Sequence, residues 1–493
     1  MTKNRTADLF IGFDLGTSTM KALLSDPDGT ILAQVSRQVL LLRSSETIVE
    51  LDAEVYFQDV CSVICELISE VGDLKKIKAI CFSGASGNTV LLDENFKPLD
   101  RVISWMDTRF TKEKVEFWPE LNSEQIYHSA GWPFRGTFPL AHLSWYKRFK
   151  PELWNKARYF TMLNDYIYYR LCGKLKVDYS KATTFYLQNQ EDREWNKDLL
   201  NFLDIEETEL SELISSGTVC GSLTDETSGV TGLSPETKVV TGSFDHPSAA
   251  RSTGVFEEGD VLISAGTSWV AFAPIRKRET GMTGGMLIDP FLSPDGCWGS
   301  MFTLTAVTEK MNVYLENCIG SNGSETMLER FDRLAASAQP GAGGFYLELY
   351  KQPYRQMKEK VETVAPENIA RALMEGIVFL ARSKIDKLIR LTGKPIKKIV
   401  LTGGPTKSPL WPSILCDVLA RPVIIPENGQ HAGAKGSVIL AGIGTGFFID
   451  EHEGYERTKS EERIIEPDPV RSNKYQKIYK DYMDQYDLND SII

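Results

Sequence analysis

The sequence predicts an α/β protein built from two domains of similar core topology. Its 493 residues exceed the roughly 250–300 residues at which a single hydrophobic core stops growing. Predicted strands and helices alternate in both halves of the chain. A Gly-Thr-Ser turn that links two strands occurs once in each half, as GTST at 16–19 and GTSW at 266–269. These observations predict domains at 1–250 and 251–493.

The first half opens with an antiparallel meander. A strand in LFIGFDLG is followed by the Gly-Thr-Ser turn and by a second strand in MKALLSD. The turn residues Pro27-Asp28-Gly29 can then reverse the chain into a third strand, TILAQVSRQ. Helical periodicity follows in AEVYFQDVCSVICELISEVG, and the apolar run KIKAICFSG returns the chain to a strand.

The second half repeats this logic. DVLISAGTSWVAFAPI gives a strand, a turn and a strand. A helix is predicted in NIARALMEGIVFLARSKIDKLIRLTG, a strand in KKIVLTGG and another helix in SPLWPSILCDVLA. We expect the domain boundary between residues 246 and 258, because the segment GSFDHPSAARSTGVFEEGD is rich in small and turn residues. Near the C-terminus one helical face, which packing explains better than a cofactor site, carries Tyr475, Ile478, Tyr479, Tyr482, Met483 and Tyr486.

Composition excludes several classes of function. A hydrophobic share of 42% and a charged share of 25% are those of an ordinary globular protein. The net charge of −12 disfavours binding to nucleic acid, although a small anion such as ATP can enter a locally positive pocket. No apolar run approaches the ~20 residues that a membrane span needs. Eight cysteines without a CxxC pair predict reduced thiols and a cytoplasmic location, and five dispersed histidines predict no zinc site.

Three glycine turns follow strong apolar strands, namely DLGTSTMK at 14–21, SAGTSW at 264–269 and LTGGPTKS at 401–408. Glycine lets backbone N–H groups approach an anion, and threonine or serine hydroxyls add neutral donors. None of them is a Walker A loop, since GxxxxGK[ST] is absent. Each turn alone is typical of an ordinary tight turn. Their joint occurrence beside carboxylates predicts a triphosphate site.

Two carboxylates and a lysine accompany these turns. Asp14 ends an apolar strand before the first turn, where it can hold a hydrated Mg²⁺ against phosphates; a structural turn cap is the alternative. Lys21 can reach a phosphate as a point charge, although a solvated lysine on a strand fits equally well. Asp245 follows an apolar strand in VVTGSFDHPSA and can accept the proton of an attacking hydroxyl. Its alternative role is to cap the helix that begins near Pro247.

Taken together, these segments resemble the FGGY family of carbohydrate kinases, which has the two-domain fold of hexokinase, actin and Hsp70. The resemblance runs from about residue 9 to residue 487 in the family's order, through FDLGTSTMK, SGASGNTVLLD, ISWMDTR, LNDYIYYRLCGKLKVDYSKA, TGSFD, GDVLISAGTS, EGIVF and LTGGPTKSPLWPSILCDVLARPV. It implies two ribonuclease H-like domains of the actin ATPase type that flank a deep catalytic cleft. It also implies transfer of the γ-phosphoryl group of ATP, with Mg²⁺, to a small sugar.

The resemblance assigns roles to individual residues. Asp245 takes the position of the catalytic base, and Asp14 that of the Mg²⁺ ligand. The phosphate and adenosine motifs take Gly16, Thr17, Ser18, Lys21, Gly266, Thr267, Gly403, Gly404 and Ser408. Besides Asp245, the sugar pocket takes Ser86, Gly87, Asn88, Trp105, Asp107 and Arg109.

The chain departs from the family's pattern at the expected sugar pocket. Ser86 and Gly87 stand where glycerol kinases have Arg-Glu and xylulose kinases have Met-His, and His142 stands where a lysine is typical. The family's Gly-Glu-Arg-x-Pro segment is not recognisable around FYLELYKQPY. Small side chains at 86 and 87 leave volume, which favours a ketopentose or ketohexose over glycerol. The alternative is that the 131–140 loop, through Trp132 or Arg135, fills this space.

The expected function is that of an ATP-dependent sugar kinase in which Asp245 deprotonates the attacking hydroxyl. A catalytically weak sugar sensor or regulator on the same fold is the alternative, and a chaperone-like or filament-forming ATPase is a further one. The expected binding partner is a small sugar or polyol rather than nucleic acid or a membrane. A homodimer is one option for the oligomeric state. The sequence does not fix the sugar or the hydroxyl that is phosphorylated.

Overall fold

Strands and helices alternate along the computed structural model, which describes residues 8–110, 122–320 and 325–487. Strands β1 to β15 are Leu9–Leu15, Thr19–Ser25, Ile31–Gln38, Leu42–Arg43, Val49–Leu51, Ile77–Gly84, Thr89–Leu92, Val102–Ile103, Tyr159–Met162, Lys176–Asp178, Gln188–Asn189, Glu194–Trp195, Glu212–Ile214, Val219–Ser222 and Lys238–Phe244. Strands β16 to β22 are Asp260–Ala265, Trp269–Ile275, Leu287–Asp289, Trp298–Leu304, Lys398–Gly403, Val423–Pro426 and Glu462–Ile465.

The described α-helices range from one turn to 27 residues. They are Ala53–Ile68, Ser123–Ala130, Pro139–Phe149, Pro151–Trp154, Leu163–Cys172, Tyr179–Ala182, Lys197–Leu203, Asp225–Thr231, Asp245–Ser252, Arg278–Thr283, Val307–Tyr314, Met327–Ser337, Tyr354–Val361, Pro366–Thr392, Leu410–Leu419, Ala432–Gly444, Glu451–Thr458 and Pro469–Tyr486. None of those within the described ranges is long and apolar enough to cross a membrane.

The first compact unit is discontinuous in sequence. It takes the described residues of Met1–Gly254 together with Leu287–Trp298 and His431–Lys459. The sequence division at residue 250 stays a prediction, because compact units need not coincide with sequence domains. The unit's main sheet has the order β14-β15-β6-β1-β2-β3, in which β1, β2 and β3 form the predicted antiparallel meander and β6 lies parallel to both β1 and β15.

Alternation along β1 separates the two faces of this sheet. Ile11 and Phe13 belong to a large apolar core that includes the helices Ala53–Ile68 and Leu163–Cys172. Phe10 points to the opposite face, where it packs with residues of the helix Ala432–Gly444. The same alternation places Asp14 on the face of Phe10, because successive side chains of a strand point to opposite sides.

The second compact unit repeats the arrangement of the first. It takes Val255–Met286 and the described residues of Gly299–Gln430 and Ser460–Ile493. Its strands follow the order β19-β17-β16-β20-β21-β22, with β16 antiparallel to β17 and parallel to β20. In both units, therefore, a strand–turn–strand hairpin lies beside parallel strands. The predicted α/β class with two domains of similar core topology is confirmed.

The C-terminal helix Pro469–Tyr486 packs through the predicted apolar face. All six residues of that face are buried, and Phe379 of the long helix Pro366–Thr392 contacts Tyr475, Tyr479 and Tyr482 at ring-centroid distances of 5.0–6.2 Å. Interleaved aromatic rings of this kind contribute packing energy to the core. Packing thus accounts for the apolar and aromatic residues on this helical face, as the sequence predicts.

Candidate active site

Asp14 lies at the carboxyl end of β1, against the start of the helix Ala432–Gly444. Glycines permit this close approach: a Cβ on Gly12 would collide with the backbone oxygen of Ala434, and a Cβ on Gly433 would lie 2.6 Å from Oδ2 of Asp14. Across the sheet, Lys21 pairs with Asp14 in the register of β1 and β2. The carboxylate is therefore held in a narrow space next to a cationic side chain.

The electrostatic surroundings of Asp14 disfavour its negative charge. Burial is the main cause, and the carboxylate of Asp245 the second, of a rise in the pKa of Asp14 to about 7, while the charge of Lys21 opposes the shift. Two carboxylates that repel each other are stabilised when a cation binds next to them. The described residues contain no cluster of three or more protein ligands for a metal ion. Mg²⁺ does not need one, because it binds one or two carboxylates together with water and substrate phosphates.

Asp245 is the first residue of the helix Asp245–Ser252, directly after β15. Its Oδ1 accepts the N–H of His246 at 2.8 Å, and the imidazole Nε2 of His246 lies 3.8 Å from the same oxygen. The N-cap residue is Phe244, and it makes no side-chain capping bond. Since 31% of the Asp245 side chain is exposed, its carboxylate is accessible to a ligand. These contacts fit a reactive carboxylate better than a helix cap.

The first glycine turn contacts an aromatic side chain of the expected sugar pocket. The indole Nε1 of Trp105 donates to Oγ1 of Thr17 at 3.1 Å, and the backbone N–H of Trp105 donates to Oδ1 of Asn88 at 3.0 Å. Ser18, which is exposed, accepts the N–H of Val39 through its carbonyl oxygen. Trp105 thus joins the turn to the 86–88 loop, and both its N–H groups are occupied.

Ser86 and Gly87 do not leave the open volume that their small side chains suggest. Ser86 is buried, and its hydroxyl lies 2.9 Å from Oγ1 of Thr184. Gly87 has φ +91°, and a Cβ there would lie 2.6 Å from the ring of Phe138. Trp132 packs edge-on against the same ring at 5.8 Å. The 131–140 loop therefore fills this space, as the alternative interpretation held, but through Phe138 rather than Trp132 or Arg135.

Asp107 and Arg109 bind each other and a third residue. The guanidinium of Arg109 donates from Nε to both oxygens of Asp107 and from Nη2 to Oδ2 of Asp107 and to Glu50. Asp107 is fully buried and also accepts the backbone N–H of Val49. This network of one cation and two carboxylates anchors the loop that leads to residue 110. Its direct role in binding sugar stays a prediction.

His142 is a neutral side chain in this structure. It is fully buried, and its Nδ1 lies 2.8 Å from Oγ1 of Thr89. Burial lowers the pKa of His142 to about 3, and the charge of Arg109 lowers it as well. Where a lysine is typical of the family, this chain therefore places no positive charge.

Aromatic residues near Asp245 form a group that the sequence analysis did not assign as a whole. Phe244 precedes Asp245 and packs edge-on against Trp132 at 5.5 Å. Phe138 in turn contacts Trp105, Trp132 and Tyr186. Aromatic faces offer apolar contact to the C–H surfaces of a bound molecule. The run GWPFRGTF at 131–138 was the available sequence signal for this wall.

The other predicted phosphate and adenosine residues belong to the second unit. Gly266 and Thr267 link β16 to β17, and the carbonyl of Thr267 accepts the N–H of Thr308. Gly403 has φ +96°, and a Cβ there would collide with the carbonyl of Ala265, whereas Gly404 has open space. Ser408 is buried, and its Oγ accepts the N–H groups of Leu410 and Trp411. Ser408 therefore bonds the first two N–H groups of the helix Leu410–Leu419, whose N-cap residue is Pro409.

Replacing Gly266 with valine should weaken ATP binding by about tenfold or more, because a side chain there blocks the approach of phosphate to backbone N–H groups. The fold should tolerate the change, since a Cβ on Gly266 meets only the oxygen of Ser268 at an ordinary 3.7 Å. Gly72→Val is the matched control, because a Cβ on Gly72 also meets open space. Calorimetric titration with ATP measures the effect, and equal affinities in the two variants would remove this turn from the phosphate site.

Comparisons with known proteins agree with this geometry. The model of the N-terminal domain of the FGGY family of carbohydrate kinases matches residues 9–251, and the model of its C-terminal domain matches residues 261–445. The xylulose kinase of Bacillus subtilis (strain 168) is 27% identical over 493 residues, with 98% of each chain covered. The gluconokinase of the same strain is 24% identical over 453 residues, with 88% of this chain and 87% of the relative covered.

Solved structures are similar to the chain over almost its whole length. The ligand-bound xylulose kinase from Lactobacillus acidophilus superposes with a TM-score of 0.86 at 22% identity, with 98% of each chain covered. The predicted actin-type fold is thereby confirmed. Because the two family models match most of the chain in the family's order, the protein belongs to the FGGY family of carbohydrate kinases and is a phosphotransferase.

Proposed function

We propose that this kinase transfers the γ-phosphoryl group of ATP to a hydroxyl of a neutral ketose, with a ketopentose such as xylulose preferred. The observation that carries the proposal is the position of Asp245. Its carboxylate stands at the start of a helix, partly exposed, and is electrostatically coupled to the carboxylate of Asp14. A base accessible to a hydroxyl, next to a site suited to a cation, is the arrangement that phosphoryl transfer requires.

In this mechanism Asp245 accepts the proton of the attacking hydroxyl, which then displaces ADP in line from the γ-phosphorus. Lys21 balances negative charge on the phosphates, and backbone N–H groups of the glycine turns donate hydrogen bonds to them. Trp105 and the aromatic side chains around Phe138 hold the sugar so that its hydroxyl meets Asp245. The turn at 266–267 and the glycines at 403–404 bind the rest of the nucleotide.

Asp14 fits the role of Mg²⁺ ligand. It offers hard oxygen atoms, its carboxylate repels that of Asp245, and the glycine at 433 keeps the space next to Oδ2 free of a side chain. When bound, Mg²⁺ supplies Lewis-acid stabilisation of the transferring phosphoryl group.

The charge of the pocket wall favours a neutral sugar over a sugar acid. Arg109 is the cation among the predicted sugar-pocket residues, and its guanidinium is paired with Asp107 and Glu50, which leaves this group of three with a net negative charge. His142 adds no positive charge, because its pKa lies near 3. A carboxylate ligand such as gluconate would meet repulsion where a ketose would not. The similarity to a named xylulose kinase over the whole chain supports the same choice.

A cytoplasmic location is part of this proposal. None of the eight cysteines, all of which lie in the described ranges, forms a disulfide, and six of them are buried, as expected for a protein in a reducing compartment. The homodimer stays a prediction.

Among glycerol, xylulose, ribulose, fructose and gluconate, the kinase should show its highest kcat/KM with a ketose and its lowest with glycerol. A small triol makes fewer contacts with the aromatic side chains of Trp105 and Phe138 than a ketose does, and the missing contacts weaken transition-state binding. Coupled detection of ADP measures each value. If kcat/KM for glycerol exceeds the values for all the ketoses, the substrate proposal fails. If kcat/KM for gluconate exceeds them, the charge argument at Arg109 fails.

A further inference from the structure

The carboxyl end of β15, which carries Asp245, is irregular. Its parallel register with β6 shifts between Thr241 and Phe244, so the regular ladder is interrupted just before Asp245. A bulge of this kind bends a strand and redirects the side chains that follow it. The orientation of Asp245 therefore depends on groups outside the sheet ladder.

At this irregularity, three successive backbone N–H groups donate to side-chain hydroxyls instead of to carbonyl groups of a neighbouring strand. The backbone N–H groups of Gly242, Ser243 and Phe244 donate to the hydroxyl oxygens of Tyr168, Ser83 and Ser180, respectively, at 3.1, 3.0 and 3.0 Å. The three hydroxyl-bearing residues are buried. Since Phe244 is the peptide neighbour of Asp245, the bond to Ser180 is the last of the three that fixes the backbone before the proposed base.

Asp289 orients the hydroxyl of Ser180. Ser180 Oγ donates to Oδ2 of Asp289 at 2.6 Å, and the two side chains are 2% and 0% exposed. A serine hydroxyl has one proton, so the oxygen that accepts from Phe244 must send its own proton elsewhere. Oδ2 of Asp289 receives it in a short O–H···O hydrogen bond. Without Asp289 the hydroxyl would be free to rotate.

Arg251 links the same segment to the helix that begins with Asp245. Its Nη1 donates to Oγ of Ser243 at 3.2 Å, and its Nη2 donates to the carbonyl of Phe291 at 2.7 Å. The guanidinium also lies over the ring of Phe291, 4.6 Å from its centroid. The segment Leu287–Trp298 therefore supports both the strand end and the helix on either side of the junction at Asp245.

Because Asp245 is the proposed base, this inference rests on the proposed function. We infer that Ser180 and Asp289 are positioning residues, which hold the peptide before Asp245 so that its carboxylate meets the sugar hydroxyl. Neither touches the reacting atoms in this role. Displacing a reacting group by about 1 Å can lower a rate a hundredfold, so a bond that fixes the base bears directly on turnover.

A second pair in the same unit provides a matched control. Ser211 Oγ donates to Oδ2 of Asp165 at 2.9 Å, and both residues are buried. Burial raises the pKa of Asp165 to about 7, as it does for Asp289, and each aspartate has one buried oxygen without a hydrogen-bond partner. The pairs differ at the strand that carries Asp245: Ser180 accepts the N–H of Phe244, whereas the Ser211 hydroxyl has no bond to that strand among the described residues, and its partner Asp165 accepts the N–H of Met162 instead.

The test compares S180A with S211A, and D289N with D289A, by kcat, by KM for sugar and ATP, and by Tm. S180A should lower kcat at least tenfold, with both KM values within about twofold of wild type. S211A should show a decrease in Tm similar to that of S180A but keep the wild-type kcat. D289N should retain at least half of the kcat, because the carboxamide oxygen still accepts the Ser180 proton. D289A should resemble S180A.

The inference is overturned if S180A keeps a kcat within twofold of S211A, or if D289N is as impaired as D289A. Should S180A fail to fold, S180C replaces it under the same criterion, because a thiol keeps the shape and is a weaker hydrogen-bonding group. D245N, measured in parallel, separates this inference from the proposed function. Turnover in D245N contradicts the proposed base, whereas an inactive D245N beside a fully active S180A contradicts the positioning role alone.

Discussion

Asp245→Asn should lower kcat by about 10²–10⁴-fold and leave the affinities for sugar and nucleotide within a few-fold of wild type. General base catalysis contributes a factor of this order, and an amide keeps the shape of the carboxylate but cannot take the proton. The loss should appear in kcat rather than in KM, because the removed interaction exists only while the hydroxyl is deprotonated. Steady-state kinetics with the best sugar of the panel, together with calorimetric binding, measures both.

Asp225→Asn is the control for this variant. Asp225 is also the first residue of a helix in the same unit, but it is exposed and lies in the segment Asp225–Thr231. Its replacement removes the same charge from the same helical position, and we expect no loss of turnover. Activity of D245N equal to that of D225N would remove Asp245 from the mechanism.

Asp14→Asn should lower Mg²⁺-dependent turnover by at least a hundredfold and weaken Mg²⁺ binding in the presence of ADP. The pKa of Asp14 is raised to about 7, so the carboxyl group is protonated below that pH and ionised above it. A metal ion binds the ionised form, and the apparent affinity of wild type should therefore fall about tenfold from pH 8 to pH 6. Calorimetric titration across this range measures the profile.

The D14N variant also serves as the reference for the pH profile. Titration of the nucleotide phosphates affects both proteins, so the difference between the two profiles belongs to Asp14. D165N should keep the wild-type pH profile. The pKa of Asp165 is raised similarly, but its carboxyl group bonds to Ser211 and is not a proposed Mg²⁺ ligand. Parallel profiles in wild type and D14N would contradict the assignment of Asp14 as the Mg²⁺ ligand.

Local signals explain what could be predicted of the fold. The short apolar runs in LFIGFDLG and MKALLSD, with a Gly-Thr-Ser turn between them, specify a hairpin, and the structure has β1 and β2 in antiparallel register there. The spacing of the aromatic residues in the C-terminal helix specifies its buried face in the same way. Both patterns depend on neighbouring residues, which a single sequence displays directly.

Long-range packing explains what could not be predicted. Nothing near Gly87 in sequence shows that Phe138 occupies the space next to it, and nothing near Arg109 shows that Glu50 pairs with it. The return of Leu287–Trp298 and His431–Lys459 to the first unit is likewise invisible locally. These returns place Asp289 behind Ser180 and Gly433 against Asp14. The residues that pack around Asp14 and Asp245 therefore come from distant parts of the chain, which a single sequence does not reveal.

The most direct test of a sugar kinase is whether its ATP turnover depends on the sugar. The hydroxyl of a bound ketose should replace water as acceptor, since a closed site excludes water. With purified protein and MgATP, we expect ADP formation to rise on the order of a hundredfold when xylulose or another ketose of the panel is added. Phosphorus NMR should show one sugar phosphate for each ADP. ADP formation that no sugar of the panel increases, or that yields only inorganic phosphate, would contradict the proposed function.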